Sequence, residues 1–183
     1  MTARSQSHFG ARLTLPVSER DHFRGPTGAP VTLVEYGDYE CPYCGQANVV
    51  VDKLRRQLGD GLRFVFRNFP LTEIHPHAEH AAEVAEAAGA IDKFWEMHDL
   101  LYANQDALDD PNLAEYATSL GVAPAVIRRA LLTHAYQERI REDFLSGVRS
   151  GVNGTPTFFI NGARHDGSYD LETLMEAIAA AAK

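Results

Sequence analysis

The chain begins with a polar stretch and then breaks into apolar runs whose period keeps changing. Residues 1–13 show neither the alternation of a strand nor the spacing of a helix, and they read as a loose arm. Arg24-Gly25-Pro26-Thr27-Gly28-Ala29-Pro30 is a dense run of turn formers. Val31 to Tyr36 is short, apolar and β-branched, the pattern of a buried central strand. Gly37-Asp38-Tyr39-Glu40 turns the chain. A helix is expected from Cys41 to about Leu58, with Val50, Leu54 and Leu58 on one face, stopped by Gly59-Asp60-Gly61. Leu62 to Phe69 alternates as a second strand. Strand, helix and strand in so short a span make a βαβ unit with a parallel pair.

From His77 to about Gly151 the period becomes helical. Ala81, Val84, Ala85 and Ala88 share one face, and Glu79, Glu83 and Glu86 are expected on the opposite one. Phe94, Trp95, His98 and Leu101 mark a second helix, with the aromatics at 94, 95 and 102 expected in the core of this helical block. Asp110-Pro111 reads as a cap and first turn of a third, with Leu113, Tyr116, Ala117 and Leu120 inward, ending at Gly121. Pro124 opens a fourth. Tyr136, Ile140, Phe144 and Val148 mark a fifth. The strand pattern then returns at Thr157–Ile160. Asn161-Gly162 is a strong hairpin signal with a partner strand near Ala163–His165. Asp170 caps a last helix with Leu171, Leu174, Met175 and Ile178 inward. The order is βαβ, a helical block, then ββα: an α/β fold around a central mixed sheet.

Composition narrows the functions. The 183 residues are 45% hydrophobic, enough for a proper core, and carry a formal charge of -8, which disfavours nucleic acid and anionic membrane as partners. No run approaches the ~20 apolar residues of a membrane span, so no membrane insertion is expected. Near the N-terminus there is no apolar region of a secretory leader, and a cytoplasmic location is the expectation.

The two cysteines, Cys41 and Cys44, stand three positions apart. A bridge across so small a loop constrains the unfolded chain little, so chemistry explains the pair better than stapling. Cys41-Pro42-Tyr43-Cys44 beside a βαβ unit reads as a redox motif. At a helix N-terminus, Cys41 points outward and gains from unpaired N–H groups and the positive end of the macrodipole, while Cys44 points inward. Pro42 suits the first turn because its missing N–H would have no partner there. Zinc needs four ligands and there is no second C-x-x-C, so no metal site is expected. His75, His77 and His80 form a cluster that reads as a solvated loop and helix start.

Two further features belong with the pair. Glu35, on the presumed central strand, is costly to bury without a role or partner. As a buried acid near Cys44 it would exchange a proton with that thiol, and the alternative is an edge position reaching water. Gly154-Thr155-Pro156-Thr157 precedes the return strand. A cis Thr155–Pro156 bond would present the Thr155 backbone to an extended peptide. The residues alone favour trans, since cis is about 5–6% of such bonds. Asp38 and Glu40, with Glu35, place negative charge near Cys41 and are expected to restrain any fall in its pKa.

Glu35-Tyr-Gly-Asp-Tyr-Glu-Cys41-Pro-Tyr-Cys44, the helical block and Gly154-Thr-Pro-Thr-Phe-Phe-Ile160-Asn-Gly together resemble the DsbA-like thioredoxin-fold proteins, from about Pro16 to Ala182. The resemblance includes the thioredoxin-like domain appended to some sodium/proton antiporters. It implies a thioredoxin-like domain over residues 14–75 and 152–183, with an all-helical insertion over 76–151 capping the active site. It also implies that Cys41 is the nucleophile, Cys44 the buried resolving cysteine, Glu35 the buried acid and Pro156 a cis proline facing the pair. Pro42, Tyr43, Thr155 and Pro156 would meet substrate. Tyr43 stands where such proteins often carry a histidine, and Thr155 where strong oxidases commonly carry valine, so the direction of electron flow is open.

The expected function is thiol–disulfide exchange with protein or small-molecule thiols, with no bound cofactor and with an electron donor or acceptor the sequence does not name. The alternative is a redox-sensing or interaction module of the same fold with little turnover.

Overall fold

The computed structural model describes residues 11–183. A five-stranded mixed sheet has the order β1-β3-β2-β4-β5. Its strands are β1 (His22–Arg24), β2 (Val31–Gly37), β3 (Leu62–Asn68), β4 (Thr157–Ile160) and β5 (Ala163–His165). β2 and β3 are parallel, as the βαβ reading requires, and the other neighbours are antiparallel. The first helix, α1 (Pro42–Leu58), joins β2 to β3, and five helices lie between β3 and β4: α2 (Ala78–Gly89), α3 (Phe94–Ala103), α4 (Asp110–Ser119), α5 (Pro124–Thr133) and α6 (Gln137–Arg149). The last helix is α7 (Leu171–Ala181).

Alternation along the strands divides the core in two. Leu33, Phe64, Phe66, Phe158 and Ile160 face a cluster shared with α1, α7 and α2 to α5. Val34, Tyr36, Val65 and Phe159 face a smaller one with Phe69 and Phe144. The inward residues of α1 are Cys44, Ala47, Val51 and Leu54; Val50 and Leu58 flank the core. The expected face is therefore rotated by about one position, because β2 leads the helix in with Cys44 already facing the sheet.

Several polar positions depart from the sequence reading. Glu83 and Glu86 are buried, not on a solvated face. Helix α2 is covered nearly all round by its neighbours, and the acids find donors: Glu86 accepts from Asn68 Nδ2 at 2.8 Å and Glu83 from the Tyr136 N–H at 2.9 Å. In α6 the buried residues are Ile140, Asp143, Ser146 and Gly147, while Val148 is exposed. Arg139 and Arg20 neutralise Asp143, and Ser146 shares a 2.7 Å hydrogen bond with Tyr36. A side chain on Gly147 would meet Phe69 at 2.8 Å, so the close fit of that ring requires glycine.

Smaller differences follow local chemistry. Asp109, not Asp110, caps α4 by accepting the Asn112 N–H at 3.2 Å. Phe94, Trp95 and Tyr102 lie against sheet residues Phe64 and Phe66, at the seam between helices and sheet, not inside the helical block. β1 has no signal strong enough to be read from three residues. The expected arm of residues 1–13 lies outside the described residues up to position 10; beyond it, Arg12 bridges to Ala163 and the Leu13 N–H donates to Gly162 at 2.9 Å. Asp170 caps α7 and Asn161-Gly162 turns β4 into β5, both as expected. Among the described residues no helix is long and apolar enough to cross a membrane.

Candidate active site

Cys41 is the N-cap of α1, with Pro42 in the first turn and no acid there to offset the positive helix end. Its carbonyl receives the N–H groups of Cys44 and Gly45 at 3.1 and 3.2 Å. Cys44 lies one turn on, inside the main core, where its Sγ accepts the Asp38 N–H at 3.5 Å. Both cysteines are free thiols. Cys41 does not stand out into solvent as expected: only 3% of it is exposed. The turn before β4 leans on it, and Sγ lies 3.5 Å from the Thr155 carbonyl oxygen. The exposed residues of the motif are Pro42 and Tyr43. The Thr155–Pro156 peptide is cis.

The two thiols are driven apart electrostatically. A hydrogen bond from the Cys44 thiol is the largest influence lowering Cys41. Burial opposes it, and the Thr155 side chain and the N–H groups of Cys44 and Tyr43 reinforce it, leaving Cys41 at about 5. Burial pushes Cys44 well up, and its bond to Cys41 and the charge of Glu35 push it further.

Glu35 sits in the middle of β2, between Phe66 on β3 and Phe158 on β4, and is buried. It is not an edge residue. Its Oε1 has no hydrogen-bond partner. Burial, with the charge of Cys41 second, raises it to about 8. Strand alternation places it with Leu33 on the α1 face, beneath the cysteine pair.

Two of the three nearby acids, Asp38 and Glu40, turn their carboxylates to donors other than Cys41. Asp38 is buried and turned toward the loop after β3: Oδ1 accepts the Glu40 N–H at 2.8 Å, and Oδ2 accepts the Leu71 N–H and meets His75 Nδ1, both at 2.8 Å. Glu40 accepts the His77 N–H at 2.6 Å, at the start of α2. These carboxylates spend their charge on donors away from the thiol. His75, His77 and His80 therefore do not converge: His75 goes to Asp38 and His80 to Asp110. Among the described residues no group of three such side chains is placed to hold a metal ion.

Sequence reasoning missed Gln105 and Tyr102, which reach the motif from the helical block. Gln105 Nε2 donates to the carbonyls of Tyr39 and Cys41 at 2.8 and 2.9 Å, and the Tyr102 hydroxyl donates to Asp38 O at 3.5 Å. Nothing in their spacing marks them, because the contact spans more than sixty positions of chain.

The arrangement offers an ionised sulfur at a helix start, a protonated sulfur behind it, and a protonated acid below both. The sequence model of a family described as thioredoxin matches residues 17–180. The chain is similar to the Na(+)/H(+) antiporter NhaA 1 of Salinispora arenicola (strain CNS-205), 50% identical over 170 residues, which is 92% of this chain and 26% of that protein. The chain thus spans about a quarter of the length of the curated relatives it matches. It also resembles the crystal structure of oxidised BdbD from Bacillus subtilis, with a TM-score of 0.82 and 24% identity, covering 94% of this chain and 97% of that one. A thioredoxin-like oxidoreductase from Silicibacter pomeroyi DSS-3 matches with a TM-score of 0.79 and 25% identity, covering 90% and 93%. The fold is the DsbA-like thioredoxin fold that the motifs resemble. Matched from Val17 to Ala180 and built on that fold, this chain belongs to the thioredoxin family.

Proposed function

We propose that this chain is a thiol–disulfide oxidoreductase working through Cys41 and Cys44. The observation that carries the reading is the opposite shift of two thiols one helical turn apart, Cys41 down to about 5 and Cys44 well up. A nucleophile must be ionised and a resolving thiol held back until needed.

The Cys41 thiolate attacks one sulfur of a substrate disulfide. A bond to Cys41 forms, the substrate S–S bond breaks, and the other substrate sulfur leaves as a thiolate that takes up a proton. Cys41 then carries no charge, so the second influence raising Glu35 is lost and its carboxyl becomes easier to ionise. Glu35 gives its own proton through solvent to the first departed thiolate, and the carboxylate so formed takes the proton of Cys44. The Cys44 sulfur bonds to Cys41 as the Cys41–substrate bond breaks, and the second substrate sulfur leaves as a thiolate protonated from solvent. Substrate gains two electrons and the cysteine pair loses two; the reverse sequence oxidises a dithiol. Pro42 and Tyr43 on one side and Thr155 and Pro156 on the other frame the approach to Cys41. The partners are protein or small-molecule thiols and disulfides.

Cys41→Ser should abolish exchange with insulin or glutathione disulfide, and Cys44→Ser should accumulate mixed disulfides. Full activity in Cys41→Ser would sink the reading.

A second reading is a redox-sensing module with little turnover. It draws on the 3% exposure of Cys41 and on relatives in which the matching region is about a quarter of a longer protein. A pair that changes redox state with glutathione yet never turns over a substrate would favour it.

A further inference from the structure

We propose that Gln105, carried by the turn between α3 and α4, is a positioning residue for the nucleophile, fixing the backbone of Cys41 through the helical block. This inference rests on the exchange reading above and adds a residue to it. Gln105 Nε2 donates to two carbonyls of the motif loop, Tyr39 O at 2.8 Å and Cys41 O at 2.9 Å. Among the described residues the Tyr39 carbonyl has no other partner. The Cys41 carbonyl holds three donors, Gln105 Nε2 and the N–H groups of Cys44 and Gly45.

The amide is also wedged against the first turn of α1. A β-carbon on Gly45 would lie 2.1 Å from Gln105 Oε1 and 2.8 Å from Cδ. Gly45 has an ordinary helical neighbourhood in which alanine would be the better helix former, so glycine there serves the approach of Gln105. The motif loop is thus pinned from the inside by α1 and from the outside by Gln105. Its pinned carbonyl belongs to the residue whose sulfur must meet Thr155 and the N–H groups of the first turn. If the Cys41 backbone shifts, the N–H groups of Tyr43 and Cys44 no longer aim at the sulfur, and the thiolate loses support.

Two variants test this by different routes. Gln105→Met keeps the length of the side chain and removes both hydrogen bonds. Gly45→Ala leaves Gln105 in the sequence but pushes its flexible end off the loop, and it favours the helix, so loss of fold does not account for its effect. The ultraviolet absorbance of the thiolate is followed against pH in the reduced protein, alongside disulfide-exchange kinetics. Both variants should raise the Cys41 midpoint by about one unit, a tenfold change in the proton equilibrium, and should lower kcat more than they raise KM. Far-UV circular dichroism should be unchanged. Wild-type titration in both variants, with wild-type exchange, overturns the positioning role and leaves the exchange reading standing. Absence of exchange in the unmodified protein overturns the exchange reading itself.

Discussion

Buried Glu35 keeps its proton up to about 8, while Cys41 at the start of α1 gives its proton up at about 5. At neutral pH the carboxyl is therefore protonated and the thiol is not, the reverse of their order in water. Both shifts are also statements about stability. Between 4.5 and about 8 folded Glu35 holds a proton that the unfolded chain has lost, so its contribution falls as pH rises. Between about 5 and 9.0 the unfolded chain holds a Cys41 proton that the folded protein has lost, so that contribution rises with pH.

In the reduced protein the two trends oppose each other over about pH 5 to 8. In the disulfide form Cys41 has neither proton nor charge, so only the Glu35 trend remains, driven by burial and complete at a lower pH than in the reduced protein. The oxidised form should lose stability relative to the reduced form across that window, on the order of a few kcal/mol. Glu35→Gln should flatten the oxidised curve. Urea unfolding of both redox forms at either end of the window checks this; parallel pH dependence in the two forms would refute it.

A thiolate stabilised in the folded protein stabilises the reduced form, which makes the disulfide more oxidising. On the scale where thioredoxin has a thiol near 7 and DsbA near 3.5, Cys41 at about 5 lies between them. The reduction potential should fall between about -270 and about -120 mV. Equilibration with glutathione buffers measures it, and a value below that of thioredoxin would count against the stabilised thiolate.

The same shifts predict selective alkylation. At about pH 7, iodoacetamide should modify Cys41 and leave Cys44 free, because only Cys41 is ionised there. Mass spectrometry of the reduced protein should find a single adduct on Cys41, with its rate half-maximal near pH 5. Equal labelling of both cysteines would be the contrary result.

Asp38 joins the motif loop to the segment after β3 through Glu40, Leu71 and His75. Asp38→Ala strands three donors at a buried position and should cost about 2–4 kcal/mol. Chemical denaturation gives the loss, and a change under about 0.5 kcal/mol, typical of an uninvolved surface site, would show that the junction carries no weight.

Arg67 and Asp21 form an ion pair at 2.8 Å with neither side chain exposed. Arg67 also donates to Leu15 O, Pro16 O and the Tyr36 hydroxyl, tying the segment before β1 to the sheet. Asp21→Ala leaves a buried guanidinium without its counter-charge and should cost about 3–5 kcal/mol. Replacing both partners with apolar residues of similar size should cost less, and thermal unfolding of the single and double variants separates the two cases.

Much of the fold is legible in the sequence because its signals are local. The β-branched run of β2, the alternation of β3, Pro124 at the start of α5, the Asn161-Gly162 turn and the Asp170 cap each depend on neighbours a few residues away. The apolar face of α2 (Ala81, Val84, Ala85 and Ala88) is legible in the same way, but the burial of polar residues on α2 and α6 is not. Glu83 and Glu86 read as solvated until Tyr136 and Asn68 are brought alongside, and nothing local marks Asp143 and Ser146 as buried before Arg139 and Tyr36 reach them.

The candidate site divides along the same line. By itself, the sequence determined that two cysteines share one helical turn, that the turn opens a helix after an apolar strand, and that an acid lies on that strand. Spacing and period suffice for such statements, because a helix and a strand repeat on fixed intervals. Only the tertiary structure decided that Cys41 is covered by Thr155, that Asp38 and Glu40 face the loop after β3, and that Gln105 grips the motif from the helical block. Those contacts join segments distant along the chain, and the charge a side chain feels depends on its surroundings in space. The cysteine pair could be found from its spacing; the separation of its two thiols, one at about 5 and the other well above its ordinary value, arises from burial and from donors that only folding brings within reach.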